Sequence, residues 1–242
     1  MSIFAVASGK GGVGKSCVAA YTAAALGHMG NRVLLVEAGF GARSLDIILG
    51  VTDDVLFDFS DVALNRCEAD KAIIKSHFWD NVFLLPGPPS PIPHKRGMVQ
   101  SILKSLASDY DIIIVDGVNF RYVSTDIFKT IMMVVTPDFL STRAESMHCA
   151  AIASAATSPE RQLRLIINNV PARLMPMRGL RDFDDIIDMV GARLIGVVPH
   201  SPNLQYSSNN AVLLNKDNSL VLSVFDNVAA RLMGEQRVLL VR

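Results

Sequence analysis

An apolar segment, Ile3 to Ala7, gives way at Gly9-Lys10-Gly11-Gly12-Val13-Gly14-Lys15-Ser16 to the alanine-rich stretch Ser16 to Met29. That junction constrains the fold more than any other feature of the chain. Glycines let a backbone curl with its amide groups turned inward, and a helix that starts directly afterwards leaves its first N–H groups without partners. Together they make a cradle for phosphate oxygens, with Lys15 in reach of the outer phosphates and the Ser16 hydroxyl able to ligate Mg²⁺. The expected nucleotide contacts run from Gly9 through Lys10, Gly11, Gly12, Val13, Gly14, Lys15 and Ser16 to Cys17. A glycine-rich turn that binds nothing is the plainer alternative. It explains neither the lysine and hydroxyl nor their place between a strand and a helix.

Lys10 is a second cation inside the same loop. It would repel Lys15 unless a strongly anionic ligand were bound, which points to a triphosphate and makes Lys10 and Lys15 the expected catalytic cations. A matching carboxylate follows from Asp111-Ile112-Ile113-Ile114-Val115-Asp116, an apolar run ending in an acid. Asp116 is expected to hold Mg²⁺ through a water, since Mg²⁺ keeps much of its hydration shell; a turn or helix-capping aspartate is the other reading.

Further short apolar runs occur at Arg32 to Val36, Val82 to Leu85, Ile131 to Val135, Leu163 to Ile167 and Leu194 to Val198. They are continuous rather than alternating, as in strands buried on both faces. Helix-like segments lie between most of them: Ser16 to Met29, Met98 to Ala107, Ser141 to Ala156, Leu180 to Val190 and Leu220 to Met233. The rhythm predicts an α/β fold of the P-loop NTPase kind, a mostly parallel sheet of about seven or eight strands with helices on both faces. One domain is expected over residues 1–235, with a short tail over 236–242. Pro86 to Pro93, with five prolines in eight residues, reads as a stiff surface loop at the carboxyl edge of the sheet.

Composition narrows the function classes. The 23 basic and 23 acidic residues cancel, so nothing in the net charge calls for nucleic acid as the main partner. Half the residues are hydrophobic, which excludes disorder. Cys17, Cys67 and Cys149 are too dispersed for a metal site or disulfide framework, and the five histidines show no ligand spacing. With no signal peptide at the start and no run long enough to span a bilayer, a cytoplasmic protein is expected.

The glycine loop with its extra Lys10 resembles the MinD/ParA family of deviant phosphate-loop ATPases, and the resemblance covers nearly the whole chain. Gly41 to Gly50, Leu84-Leu85-Pro86, Val135-Thr136-Pro137-Asp138, Gly196-Val197-Val198-Pro199 and Arg231 to Glu235 all look like segments of the MinD branch. The resemblance implies ATP and Mg²⁺ as ligands and a homodimer that sandwiches nucleotide, Lys10 reaching the partner subunit's ATP. It also implies a protein partner that regulates division, and peripheral attachment to the inner face of the cell membrane. By the same resemblance Asn168 meets the adenine edge and Pro199 flanks the base, although beside Asn169 an asparagine at 168 is also a turn residue. Ser141 opens a helix that faces a dimer or regulatory partner in relatives; a helix-capping serine is the other reading.

The chain departs from the family in three places. Relatives carry two aspartates one residue apart after the second strand, whereas this chain has Glu37-Ala38-Gly39. Glu37 can take the first aspartate's place near Mg²⁺, but Gly39 has no side chain with which to orient water. After Asp116 the family's Ser-Pro-Ala-Gly is replaced by Gly117-Val118-Asn119-Phe120. The tail Arg237 to Arg242 gives less than two helical turns, so membrane binding is expected to be weak and a frayed tail or small edge strand is preferred. The expectation is thus an ATP-dimerised switch with slow or absent hydrolysis. The alternatives are a non-hydrolysing nucleotide-sensing scaffold and a positioning ATPase of the ParA or flagellar-number type.

Overall fold

The computed structural model describes residues 1–242 except 40–42, 91–96, 156–161, 174–181, 215–218 and 241–242. The expected features at 41–42, 91–93, 156, 180–181 and 241–242 lie outside the described residues.

The apolar runs form strands β1 Ser2–Ala7, β2 Val33–Glu37, β4 Val82–Leu85, β5 Ile112–Asp116, β6 Thr130–Val135, β7 Leu163–Val170 and β8 Arg193–Pro199. An eighth strand, β3 Ile74–Lys75, was not foreseen. The strand order is β3-β4-β2-β5-β1-β6-β7-β8, and every pairing is parallel except the antiparallel β3–β4 edge. This is the expected architecture, with β1 near the middle and flanked by β5 and β6.

Successive residues of these strands feed two different cores. Phe4, Val6, Leu35, Ile114 and Val134 face one side, and Ala5, Ala7, Val36, Val115 and Val135 face the other. Helices α1 Lys15–His28, α2 Leu45–Ile48, α8 Pro202–Asn210 and α9 Ser219–Leu232 contribute buried side chains to the first core. Helices α3 Phe59–Ala63, α4 Ala69–Ala72, α5 Met98–Ser105, α6 Phe139–Ala155 and α7 Phe183–Val190 close the second. Helix α1 is buried from Val18 to Gly27, and its run of alanines lets it lie close to the sheet and to α9. At Gly196 the approach of α9 is so tight that a Cβ there would sit 2.5 Å from Val228.

Three local readings change. Helix α6 starts at Phe139 rather than Ser141, because Asp138 accepts the Ser141 backbone N–H at 2.8 Å and caps the helix. Ser141 is itself buried, its hydroxyl accepting the Thr136 N–H at 3.1 Å. Pro86, Gly87 and Pro88 are buried, so the proline segment begins as a clamp rather than a surface loop: the Pro86 carbonyl accepts the Phe59 N–H at 2.8 Å. The tail over 235–240 is neither helix nor strand, and it is tied back to α9 by Asn227 Nδ2 donating to the Val238 carbonyl at 2.6 Å.

Candidate nucleotide site

Parallel strands all point their carboxyl ends the same way, so the loops after β1, β2, β5, β7 and β8 gather at one rim. The glycine loop follows β1. Gly12 and Gly14 adopt φ of 77° and 90°, the left-handed region that suits glycine, and Gly14 caps α1 without a side chain. The first turn of α1 holds no acidic residue, so its positive end is left for a ligand. A Cβ at Gly11 or Gly12 would meet nothing within 4 Å, which leaves open space over the cradle.

Asp116, the last residue of β5, is buried, and its Oδ2 accepts the Ser16 hydroxyl at 2.5 Å. Its Oδ1 is buried with no hydrogen-bond partner. An orphaned carboxylate oxygen beside a hydroxyl is the donor set of a hydrated Mg²⁺, so the residues fit the ion. Among the described residues no group of three or more His, Cys, Asp or Glu could hold a metal.

Burial pushes the Asp116 carboxyl above the usual aspartate range, with the Ser16 hydrogen bond and the Lys15 charge pulling back. The folded protein therefore holds that proton more tightly than the unfolded chain, and the associated stability fades as pH rises through the raised value. A cation beside Oδ1 favours the ionised form. Mg²⁺–nucleotide affinity is thus expected to climb with pH across the window just above the ordinary aspartate value. Asp116→Asn should flatten most of that climb and weaken the Mg²⁺-dependent affinity about tenfold. Titration of a fluorescent ADP analogue at several pH values checks this; an unchanged slope in the variant would contradict the assignment.

Glu37 is the register neighbour of Asp116 across β2–β5. Its oxygens are already occupied: Oε1 accepts the Ser44 N–H at 3.0 Å and the Ser44 hydroxyl at 3.3 Å, while Oε2 accepts the Gly87 N–H at 3.2 Å. Burial pushes its carboxyl up as well, against those hydrogen bonds. Glu37 therefore ties the loop after β2 to the start of the proline segment, and a Cβ at Gly87 would sit 2.9 Å from its Cγ.

Asn168, near the end of β7, donates Nδ2 to the Val13 carbonyl at 2.8 Å and lies so close to Gly14 that a Cβ there would meet it at 2.3 Å. Its amide braces the glycine loop. Beside it opens a cleft of about 310 Å³, lined among others by Gly12, Cys17, Asn168, Pro199 and Leu204. Cys17 accepts the Ser208 hydroxyl at 3.5 Å, and burial pushes its thiol up to about 11, so it lines the cleft as a neutral group. Lys10 stands at the exposed rim and pairs with Asp138 at 3.4 Å. Burial works upward on Asp138, but hydrogen bonds from Thr136 and Ser141 and the charge of Lys10 outweigh it and hold the carboxyl below its usual range.

Glu145 escaped the sequence reading. It lies fully buried in α6, where it accepts the Gly9 backbone N–H and faces His148 Nδ1 at 3.6 Å. A Cβ at Gly9 would meet the Ala144 carbonyl oxygen at 2.4 Å, so helix and loop touch backbone to backbone.

The description "CobQ/CobB/MinD/ParA nucleotide binding domain" matches residues 4–214. The chain belongs to the MinD/ParA nucleotide-binding family. The septum site-determining protein MinD of Synechocystis is 30% identical, the match covering 96% of this chain and 90% of the relative. In the MinC:MinD cell division protein complex of Aquifex aeolicus, a chain 28% identical superposes with a TM-score of 0.85, covering 100% of this chain and 99% of its own. MinD from Pyrococcus horikoshii complexed with Mg-ADP, 23% identical with a TM-score of 0.77 and covering 96% of each chain, shares the fold. A Cβ at Gly39 would lie 3.2 Å from the Gly117 Cα. Gly117 itself has a φ of 77°, and a Cβ there would sit 2.6 Å from the Gly39 Cα, so the two loops meet glycine to glycine.

Proposed function

We propose that the chain is an ATP-dependent dimerising switch of the MinD type, acting in division-site placement, with hydrolysis slow or lost. The observation that carries the reading is Lys10. Its side chain stands 42% exposed at the rim of its own cradle, where the ammonium pairs at 3.4 Å with Asp138. An exposed pair of that kind contributes little, so Lys10 is free to exchange it for the phosphates of a facing subunit's nucleotide. Bound Mg²⁺ would neutralise phosphate charge. Lys15, Ser16 and Asp116 hold the phosphates and the ion in this reading, Cys17, Asn168 and Pro199 flank the base, and Glu37 joins the ion's surroundings only by giving up Ser44 and Gly87.

The partner is a division regulator by analogy with the MinC:MinD complex of the Aquifex relative. Residues 1–235 act as one unit. No helix among the described residues is long and apolar enough to cross a membrane. A cytoplasmic protein attached peripherally to the membrane, as the family resemblance implies, is part of the reading. Nucleic acid has no role in the reading.

Size-exclusion chromatography with and without ATP–Mg²⁺, alongside phosphate release, tests it. The expected result is an ATP-dependent dimer of wild type that Lys10→Ala fails to form. A chain that stays monomeric with saturating ATP sinks the switch and leaves a nucleotide-sensing scaffold, the second reading, which the Gly39–Gly117 contact favours.

A further inference from the structure

Between α1, α9 and the turn from β3 to β4 lies a cavity of about 260 Å³ that the nucleotide site does not use. Three of its walls are aromatic rings set at different angles. Tyr21 stacks on Phe225 with centroids 5.4 Å apart and meets Trp79 at 5.5 Å, the two planes crossing at 71°. Phe78 stands beside Trp79 at 6.1 Å, and Leu214 and Leu222 add aliphatic surface. Tyr21, Trp79 and Phe225 are buried, so whatever touches them from outside must enter the cavity rather than lie across the surface.

The lining and the volume together select a class of guest. An apolar cavity of about 150 Å³ holds a benzene ring, so this larger one has room for two fused rings. Aromatic walls at several angles favour a planar guest, which can stack on one ring and take the edge of another. Besides Tyr21, the polar lining among the described residues consists of His28 and Asp226, both exposed and therefore at the mouth. The Asp226 carboxylate can accept one N–H from such a guest. The chain between Leu214 and Ser219 reads Asn215-Lys216-Asp217-Asn218, and so has no apolar side chain to offer the cavity.

Tyr21 also faces the nucleotide. Its hydroxyl meets the side chains of Ser207 and Ser208 on α8, and burial pushes it up to about 12, so it meets them as a neutral group. Ser208 in turn donates to Cys17 at 3.5 Å, and both Ser208 and Cys17 line the nucleotide cleft. One side chain thus touches the cavity with its ring and the cleft's wall with its oxygen.

We propose that the cavity binds a small planar heteroaromatic molecule carrying an N–H donor, and that its occupancy strengthens nucleotide binding through Tyr21. A guest packed on the ring favours the arrangement in which the hydroxyl holds α8 against the cleft, and such a linkage is reciprocal. The linkage rests on the nucleotide reading above, whereas the binding does not.

Calorimetric titration with indole tests the binding on wild type, Lys15→Ala and Leu222→Trp. One molecule of indole is expected to bind per chain, to bind equally well in Lys15→Ala, and to weaken about tenfold or more when the added ring of Leu222→Trp fills the cavity. Leu213→Trp, at an exposed lining position, decides the matter if that variant fails to fold. Titration of a fluorescent ATP analogue with and without saturating indole tests the linkage: affinity is expected to rise about fivefold in wild type and to stay level in Tyr21→Phe. Absence of indole binding, binding undiminished in the folded tryptophan variant, or binding lost in Lys15→Ala overturns the proposal; the last would put indole in the nucleotide cleft. An ATP-analogue affinity that ignores indole overturns the linkage. Indole binding to a chain that fails to take up the analogue supports the cavity and counts against the nucleotide reading instead.

Discussion

Lys15→Ala is expected to lose nucleotide affinity about a hundredfold or more while leaving the fold intact. Lys15 opens α1 directly after the Gly14 cap, where the helix end adds its own positive potential and the open space over Gly11 and Gly12 leaves room for phosphates. A charge-assisted hydrogen bond contributes about 1.5–3 kcal/mol, and a lysine bridging two phosphates makes more than one. The substitution also removes the charge that draws the Asp116 carboxyl down, so the remaining site holds its proton more firmly and meets Mg²⁺ less readily. Lys15 is only half-buried, so its stem contributes little to the core. Equilibrium titration of a fluorescent ATP analogue, paired with thermal unfolding, reads both halves. Unaltered affinity would remove the cradle from the site.

The second large effect concerns turnover. Phosphate release by the wild-type protein is expected to run about 10²- to 10⁴-fold below that of a relative with an aspartate at position 39, because no side chain at Gly39 can orient the attacking water. Gly39→Asp should raise the rate, but not freely. The Cβ would press on the Gly117 Cα at 3.2 Å, and Gly117 is held in a left-handed conformation against Gly39, so the loops must part by a few tenths of an ångström. A stability cost of about 1 kcal/mol accompanies the gain. Steady-state phosphate release with urea unfolding of the same variant checks both. Wild-type turnover equal to an active relative, and abolished by Lys15→Ala, would show that another group orients the water.

The central strands were legible because burial on both faces writes a continuous apolar run, as at Ile112 to Val115. Strand β3 was not, since Ile74 and Lys75 alone carry no period. Helix α8 had a readable start in Ser201-Pro202, a capping hydroxyl followed by a proline in the first turn, and was passed over for want of a strong apolar face. The glycine loop, Ser16 and Asp116 could be read because chemistry fixes their spacing. What Glu37 holds depends on Gly87, fifty residues away, and Glu145 meets Gly9 across 136 residues. Neither contact leaves a local mark.

The short antiparallel β3 also limits how this molecule can associate. A margin of two residues, one of them the exposed Lys75, presents almost no free ladder to an incoming strand and sets a hydrated charge where one would have to dock. On that side the sheet cannot lengthen by recruiting a neighbour, so crowding the protein does not open a route to fibre-like stacking there.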